Sequence, residues 1–280
     1  MPVDLSSVLN EAVKGVNYLK SRAMNSRLFS ILCDEMGSEH RQLLLHTEIR
    51  WLSRGNVLKR LFELRSEVQI FLSNCNHDLS NRFTDEVWLS RLAYLADIFS
   101  RLNDINISLQ GAHTTIFLVH DKVKSFIKKL AFFINEIERE RNFSVFPTLE
   151  TFLVENEIPL NMALMENIKE HCMQLILEFK KYFPQDLSAE FRIRDPFAVE
   201  AELLLDSLTL REKEELIELS CDSSLSQELE KMVLAEFWMA RRTEYPLIAD
   251  KAVKFLLPFS TTYLCESGFS SMVYLKNKFR

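Results

Sequence analysis

Long runs of apolar residues that recur every three or four positions dominate this chain, and glycine or proline seldom interrupts them. The 280 residues include only five glycines and seven prolines, so few positions force the backbone out of a helix. The longest runs cover residues 54–72, 84–105 and 114–137. Because long helices joined by short polar breaks pack as antiparallel neighbours, the sequence predicts a mainly α fold that contains a helical bundle.

Polar residues at the start of these runs predict where two of the helices begin. Thr84 or Asp85 precedes the second run, and Thr114 or Thr115 precedes the third. Their side-chain oxygens are suited to accept hydrogen bonds from the free backbone amides of a first helical turn. We therefore expect helix N-termini close to residues 85 and 115.

The rest of the chain is also predicted to be largely helical. One more helix is expected over residues 160–183, and Pro246 and Pro258 suit the first turn of two short helices near the end. The sequence also predicts one or two β-strands near residues 43–50. Apolar residues make up 47% of the chain, which is enough to build a sizeable core.

The charge balance and the ends of the chain restrict its partners and its compartment. The net charge of -6 argues against a general nucleic-acid-binding protein, because such proteins neutralise phosphates with basic side chains. The N-terminus lacks the basic and apolar regions of a signal peptide, and no apolar run approaches the ~20 residues of a membrane span. We expect an intracellular protein of the nucleus or cytoplasm, neither secreted nor membrane-bound.

Metal and cofactor chemistry is not indicated. The spacing of the cysteines is long and irregular, without a CxxC pair, so free thiols are expected and a zinc module is not. The glycines lie too far apart to form a phosphate-binding loop, and no histidine belongs to an HExxH motif. The sequence therefore predicts no metal and no cofactor. The five cysteines are Cys33, Cys75, Cys172, Cys221 and Cys265.

Two short stretches carry a recognisable pattern. Residues 45–55 read LHTEIRWLSRG and include Arg50 and Trp51. Residues 265–270 read CESGFS and follow two helical segments that each begin with a proline. Four residues of this stretch are the most distinctive of the C-terminal region. These distinctive residues are Cys265, Glu266, Phe269 and Ser270.

These stretches resemble the hAT superfamily of transposases, in particular its domesticated branch with BED-zinc-finger, SCAN-domain and laforin-interacting members. The resemblance covers nearly the whole chain and corresponds to the C-terminal part of such a protein. It implies a helical insertion domain flanked by remnants of a ribonuclease-H-like core. Residues 1–53 would be the remnant with the Arg-Trp motif, 54–243 the helical insertion, and 244–280 a truncated dimerisation-type region.

The resemblance also implies that the chain is not an enzyme. Transposases of this type hold divalent metals with three carboxylates, and Glu266 matches the third. The first two would be aspartates upstream of Arg50, where only Asp4 and Asp34 occur, both in helical contexts. Trp51 would either stack on an extruded base or pack in the core.

Three functions remain compatible with the composition and with the family resemblance. The favoured one is an inactive transposase-derived protein that contacts a protein partner or a second copy, although the residues involved are also suited to core packing. The residues of this interface would be Phe255, Leu256, Leu257, Phe259, Tyr263 and Phe269. The second is a DNA-binding protein of transposon origin, which would need its basic residues on one face. Those residues are Arg50, Arg54, Lys59, Arg60, Lys276, Lys278 and Arg280.

The third possible function is that of a fragment of an active transposase.

Overall fold

The computed structural model confirms a mainly α fold. It describes residues 1–44, 52–111, 114–183, 187, 190–198, 208–257, 268–269 and 272, and within these ranges every regular element is a helix. The α-helices are α1 (Val3–Lys20), α2 (Ala23–Glu35), α3 (Leu52–Glu63), α4 (Arg65–Asn74), α5 (Glu86–Ser108), α6 (Ile116–Glu140), α7 (Pro147–Glu155), α8 (Met162–Tyr182), α9 (Phe191–Arg194), α10 (Leu210–Ser220), α11 (Ser223–Leu229), α12 (Leu234–Ala240) and α13 (Pro246–Leu256). Two 3₁₀ helices, Asp78–Thr84 and Arg241–Thr243, complete the described elements.

The chain forms two compact units. Unit 1 comprises Met1–Ile107 and Ser125–Phe179, and unit 2 comprises Ser108–Lys124 and Lys180–Arg280. Helix α6 therefore contributes residues to both units. The domain bounds at residues 53 and 243 stay a prediction, because they rest on the family resemblance. Among the residues that the structure describes, no helix is both long and apolar enough to cross a membrane.

The expected strands and the helix after Pro258 fall largely outside the described residues. Of residues 43–50, the structure describes Leu43 and Leu44, which are not in a strand. Pro246 does occupy the first turn of α13, as predicted. The fixed backbone angle of proline suits that position, and its missing amide has no acceptor there.

The single helix predicted for residues 54–72 is wrong, because two helices occupy this stretch. Leu64 separates α3 from α4 with backbone angles φ -95° and ψ 24°. The Arg65 guanidinium donates to the Phe62 carbonyl at 3.0 Å and lies 4.6 Å from the Phe62 ring centre. These contacts stabilise a bend that neither glycine nor proline marks in the sequence.

Helix α5 is the centre of unit 1, and its start was predicted correctly. Asp85 Oδ1 accepts from the backbone amides of Val87 and Trp88 at 3.0 and 3.2 Å. Further along the helix, the buried carboxylate of Asp97 accepts from the amides of Thr148 and Leu149 at 3.2 and 3.1 Å. Helix α5 thus caps the first turn of α7, so one buried acid fixes two helices together.

A buried polar pair also joins α5 to α8. The Tyr94 hydroxyl and His171 Nδ1 are hydrogen-bonded at 2.8 Å, and both side chains are buried. Burial lowers the pKa of His171 from 6.5 to about 4. Because an imidazolium in this position would lose its hydration without gaining an anion, the folded protein keeps His171 neutral.

The stability of the protein should therefore fall as the solution is acidified below pH 6.5. The unfolded chain takes up a proton on His171 there, whereas the folded chain does not until about pH 4. Between pH 7 and pH 5 this difference removes about 2 kcal/mol from the free energy of unfolding. Urea denaturation at a series of pH values measures it, and a His171→Gln variant should lose that part of the slope. An unchanged slope in the variant would contradict this assignment.

The four described cysteines are free thiols that differ in exposure. Cys33 and Cys172 are buried, whereas Cys75 and Cys221 are exposed. Burial raises the pKa of Cys33 and that of Cys172 to about 11, so neither forms a thiolate readily at neutral pH. The sequence prediction of free thiols holds for these four residues.

Candidate protein-interaction site

The C-terminal part of the predicted interface belongs to unit 2, which has its own apolar core. Trp238 is its largest fully buried side chain, and its indole Nε1 donates to the Ile193 carbonyl at 2.7 Å. An indole N–H without an acceptor in this position would be costly, so this bond fixes the segment around Ile193 against α12. The core consists of Phe117, Ile193, Leu208, Leu216, Leu219, Leu225, Phe237, Trp238, Ile248, Ala249 and Ala252.

Helix α13, which carries the first predicted interface residues, is fixed to α10 through its first turn. Glu215 Oε2 accepts from the amides of Leu247 and Ile248 at 2.9 and 3.0 Å. A carboxylate at this point satisfies amides that have no partner within the helix and interacts favourably with the helix dipole. The position of α13 therefore depends on an acid more than thirty residues earlier.

A second acid of α10 strengthens the same link. Glu212 forms a capping box with Thr209, and both of its carboxylate oxygens lie 3.3 Å from Lys251 Nζ. Burial alone would raise the pKa of Glu212, but the hydrogen bonds from Thr209 and the ammonium of Lys251 hold it below its usual value. Neither acid of α10 was predicted from the sequence, although the Thr-x-x-Glu spacing of the capping box was a usable signal.

The described interface residues divide into packed and exposed side chains. Phe255 and Leu256 are half-buried against the core of unit 2, and the rings of Phe255 and Phe117 lie 5.6 Å apart. By contrast, Leu257 is 69% exposed and Phe269 is 66% exposed. Core packing thus accounts for Phe255 and Leu256, while Leu257 and Phe269 present apolar surface to solvent. Phe259 and Tyr263 lie outside the described residues.

The two motifs behind the resemblance lie largely outside the described residues as well. This holds for Arg50, Trp51, Cys265, Glu266 and Ser270. Gly55, the last residue of the first stretch, is described and lies where α3 crosses α5. An added Cβ at this glycine would lie 2.8 Å from the Phe99 carbonyl oxygen and would also overlap Asn103. The glycine is therefore required by the close approach of two helices in unit 1.

The basic residues proposed for DNA binding do not form a free patch where they are described. Lys59 is exposed, but Arg60 pairs with Glu63 at 3.2 Å. The other side chains of that set lie outside the described residues. Among the described residues, no three of His, Cys, Asp and Glu lie close enough together to hold a metal ion.

Comparison with known proteins found a family model that matches the N-terminal half of the chain. Residues 1–138 match the FAM200/GTF2IRD2 helical domain. This match extends from α1 almost to the end of α6 and agrees with the helices found there.

One relative extends the similarity to nearly the whole chain. The chain is 30% identical over 277 residues to the General transcription factor II-I repeat domain-containing protein 2 of Bos taurus. That alignment covers 98% of this chain but 28% of the relative, so the chain spans less than a third of that protein's length. No solved structure matches the chain significantly.

Proposed function

We propose that this chain is a transposase-derived helical protein that lacks catalytic activity and acts by contacting a protein partner or a second copy of itself. The match to the FAM200/GTF2IRD2 helical domain and the resemblance of both motifs to hAT transposases support the origin. Within these 280 residues, Glu266 is the one carboxylate that the resemblance matches to a catalytic position, and a single carboxylate would not position two metal ions. The proposal also includes the hAT assignment, a nuclear or cytoplasmic location and the presence of remnants of a ribonuclease-H-like core.

The apolar surface of the C-terminal region carries the proposed contact. Leu257 and Phe269 are more than 60% exposed, and both lie within residues 244–280, which the resemblance assigns to dimerisation. Large apolar side chains on a surface favour association, because water is released when they are covered. Helix α13 supplies a rigid base for Leu257, since its first turn and its buried face are fixed to α10 and the core.

Substituting both exposed residues should weaken the contact strongly without affecting the fold. A Leu257→Glu/Phe269→Glu variant is expected to weaken self-association by about tenfold or more, because it would place carboxylates in an apolar contact. Light scattering over a concentration series measures the molar mass. Leu210→Glu is the matched control, because Leu210 is 73% exposed in the same unit but outside the C-terminal region. A wild-type chain and a double variant of identical mass at every concentration would contradict self-association through this region.

The absence of catalysis is tested separately. Incubation of the chain with supercoiled DNA and Mg²⁺ or Mn²⁺ is expected to give no nicking above a protein-free control. Metal-dependent cleavage that disappears in a Glu266→Gln variant would contradict the proposal and favour an active transposase fragment.

A further inference from the structure

Helix α2 in unit 1 exposes an apolar stripe that no described residue covers. Met24 is 66% exposed, Leu28 46% and Ile31 53%. Their spacing of four and three residues places them on one side of the helix, one above another. Isolated exposed apolar residues are common on protein surfaces, but a stripe along two turns of one helix is not explained by chance exposure alone.

The opposite side of α2 is firmly packed. Phe29 and Cys33 are buried, and the Phe29 ring contacts the Phe71 ring of α4 edge-to-face at 5.8 Å. At the N-terminal end, Asn25 Nδ2 and Ser26 Oγ donate to carbonyls at the end of α1, at 3.1 and 2.9 Å. The helix is therefore held with its apolar stripe outward, so a partner would meet a preformed surface.

Two opposite charges lie along the same edge of this stripe. Arg27 and Asp34 are seven residues apart, which returns them to nearly the same side of the helix after two turns. Arg27 has no ion pair among the described residues, and Asp34 pairs with Arg41 at 2.8 Å on the exposed surface. Such an exposed pair contributes little energy and exchanges readily. The edge thus carries the Arg27 guanidinium towards one end and, towards the other, the exposed Asp34 carboxylate, which would exchange Arg41 for the Arg27 of a partner.

We propose that α2 packs against α2 of a second copy of this chain, antiparallel about a two-fold axis that passes close to Ser30. An axis at Ser30 places Leu28 of each copy within one residue of the position opposite Ile31 of the other. The same axis places Arg27 opposite Asp34 to within one residue, and the symmetry forms this ion pair twice. The apolar pair is centred between Phe29 and Ser30, and the charged pair between Ser30 and Ile31. Both centres therefore lie within half a residue of Ser30, which is close enough for the long side chains of a self-complementary surface.

The size of the surface indicates a weak dimer. One face of a 13-residue helix buries less than the ~800 Å² per partner that a stable complex typically has. We therefore expect association that depends on concentration, with the ion pairs setting the orientation and register. This contact lies in unit 1 and does not depend on the C-terminal contact proposed above.

A charge exchange between two variants tests the arrangement. Arg27→Glu alone and Asp34→Lys alone each place like charges opposite one another twice, and each should weaken self-association by about tenfold. An equimolar mixture of the two variants should associate as well as the wild type, because both ion pairs are then restored within the mixed dimer. Sedimentation equilibrium of the full chain up to several hundred micromolar measures all three samples. Arg211→Glu, the same charge change at an exposed position of α10, is the control and should have no effect.

The series is run in the wild-type chain and in the Leu257→Glu/Phe269→Glu background, so that the two contacts are separated. Rescue by mixing in both backgrounds supports the α2 contact, even if the C-terminal proposal fails. Unaltered association of Arg27→Glu, a mixture no stronger than its components, or a wild-type chain that stays monomeric in this range would overturn it. All substituted residues are exposed, so unchanged circular dichroism and melting temperatures are expected throughout.

Discussion

Replacing Gly55 by alanine should lower the free energy of unfolding by about 3 kcal/mol, although alanine is normally the better helix former by about 1 kcal/mol. Gly55 lies inside α3, and an added Cβ would lie 2.8 Å from the Phe99 carbonyl oxygen and 2.9 Å from its carbon. These are backbone atoms of α5, so no rotation of a side chain relieves the overlap. The two helices would have to move apart and open the centre of unit 1.

The control for this prediction is the same substitution at Gly15. Gly15 lies inside α1, and the nearest atom to its added Cβ is Leu79 Cδ1 at 3.8 Å, an ordinary van der Waals contact. Gly15→Ala should therefore stabilise the protein, by about 0.5–1 kcal/mol. Chemical denaturation of both variants measures the two changes. Shifts of the same sign would show that helix propensity, and not the approach of α3 to α5, decides the effect.

The largest loss is expected on removal of the Asp97 carboxylate. Asp97→Ala should lower the free energy of unfolding by about 4 kcal/mol, because two charge-assisted hydrogen bonds to buried amides are lost together. The amides of Thr148 and Leu149 in the first turn of α7 would then have no acceptor. Burial raises the pKa of Asp97 even though these hydrogen bonds lower it, so placing the charge there already costs free energy.

Two further variants separate the hydrogen bonds from the charge and from the helix. Asp97→Asn keeps one acceptor oxygen and is expected to lose less than Asp97→Ala, by about 2 kcal/mol. Asp104→Ala changes an exposed aspartate on the same helix and should be neutral within about 0.5 kcal/mol. Hydrogen exchange of the α7 amides supplies an independent readout. If Asp97→Ala and Asp104→Ala had similar effects, the cap between α5 and α7 would not be the source of the stability.

Local signals in the sequence were enough to predict the long helices, because their ends are set by neighbouring residues. Asp85 caps α5 as its side-chain chemistry predicts, and Pro246 begins α13. The bend at Leu64 was not predictable in this way, since its stabilising contacts involve the Phe62 carbonyl and ring rather than a helix-breaking residue. Periodicity alone does not distinguish one long helix from two consecutive helices with the same apolar spacing.

The candidate sites show the same division between local and distant causes. The apolar character of Phe255 and Leu257 was visible in the sequence, but which of them is exposed depends on Phe117, far away in the chain. The acid that holds α13, Glu215, belongs to another helix, and only the capping box at Thr209 was a local signal. The exposure of the stripe on α2 likewise depends on how α1 and α4 occupy the other face of that helix, which no local pattern shows.

The contrast between buried and exposed thiols makes the chain convenient for spectroscopy. Cys75 belongs to unit 1 and Cys221 to unit 2, and both are exposed, whereas Cys33 and Cys172 are shielded. In a Cys265→Ser background, maleimide reagents should react rapidly at Cys75 and Cys221 and only slowly at the two buried positions. A donor and an acceptor dye would then occupy one position on each unit without any engineered cysteine. Energy transfer between them would follow the separation of the two units directly, in the free chain and as copies associate.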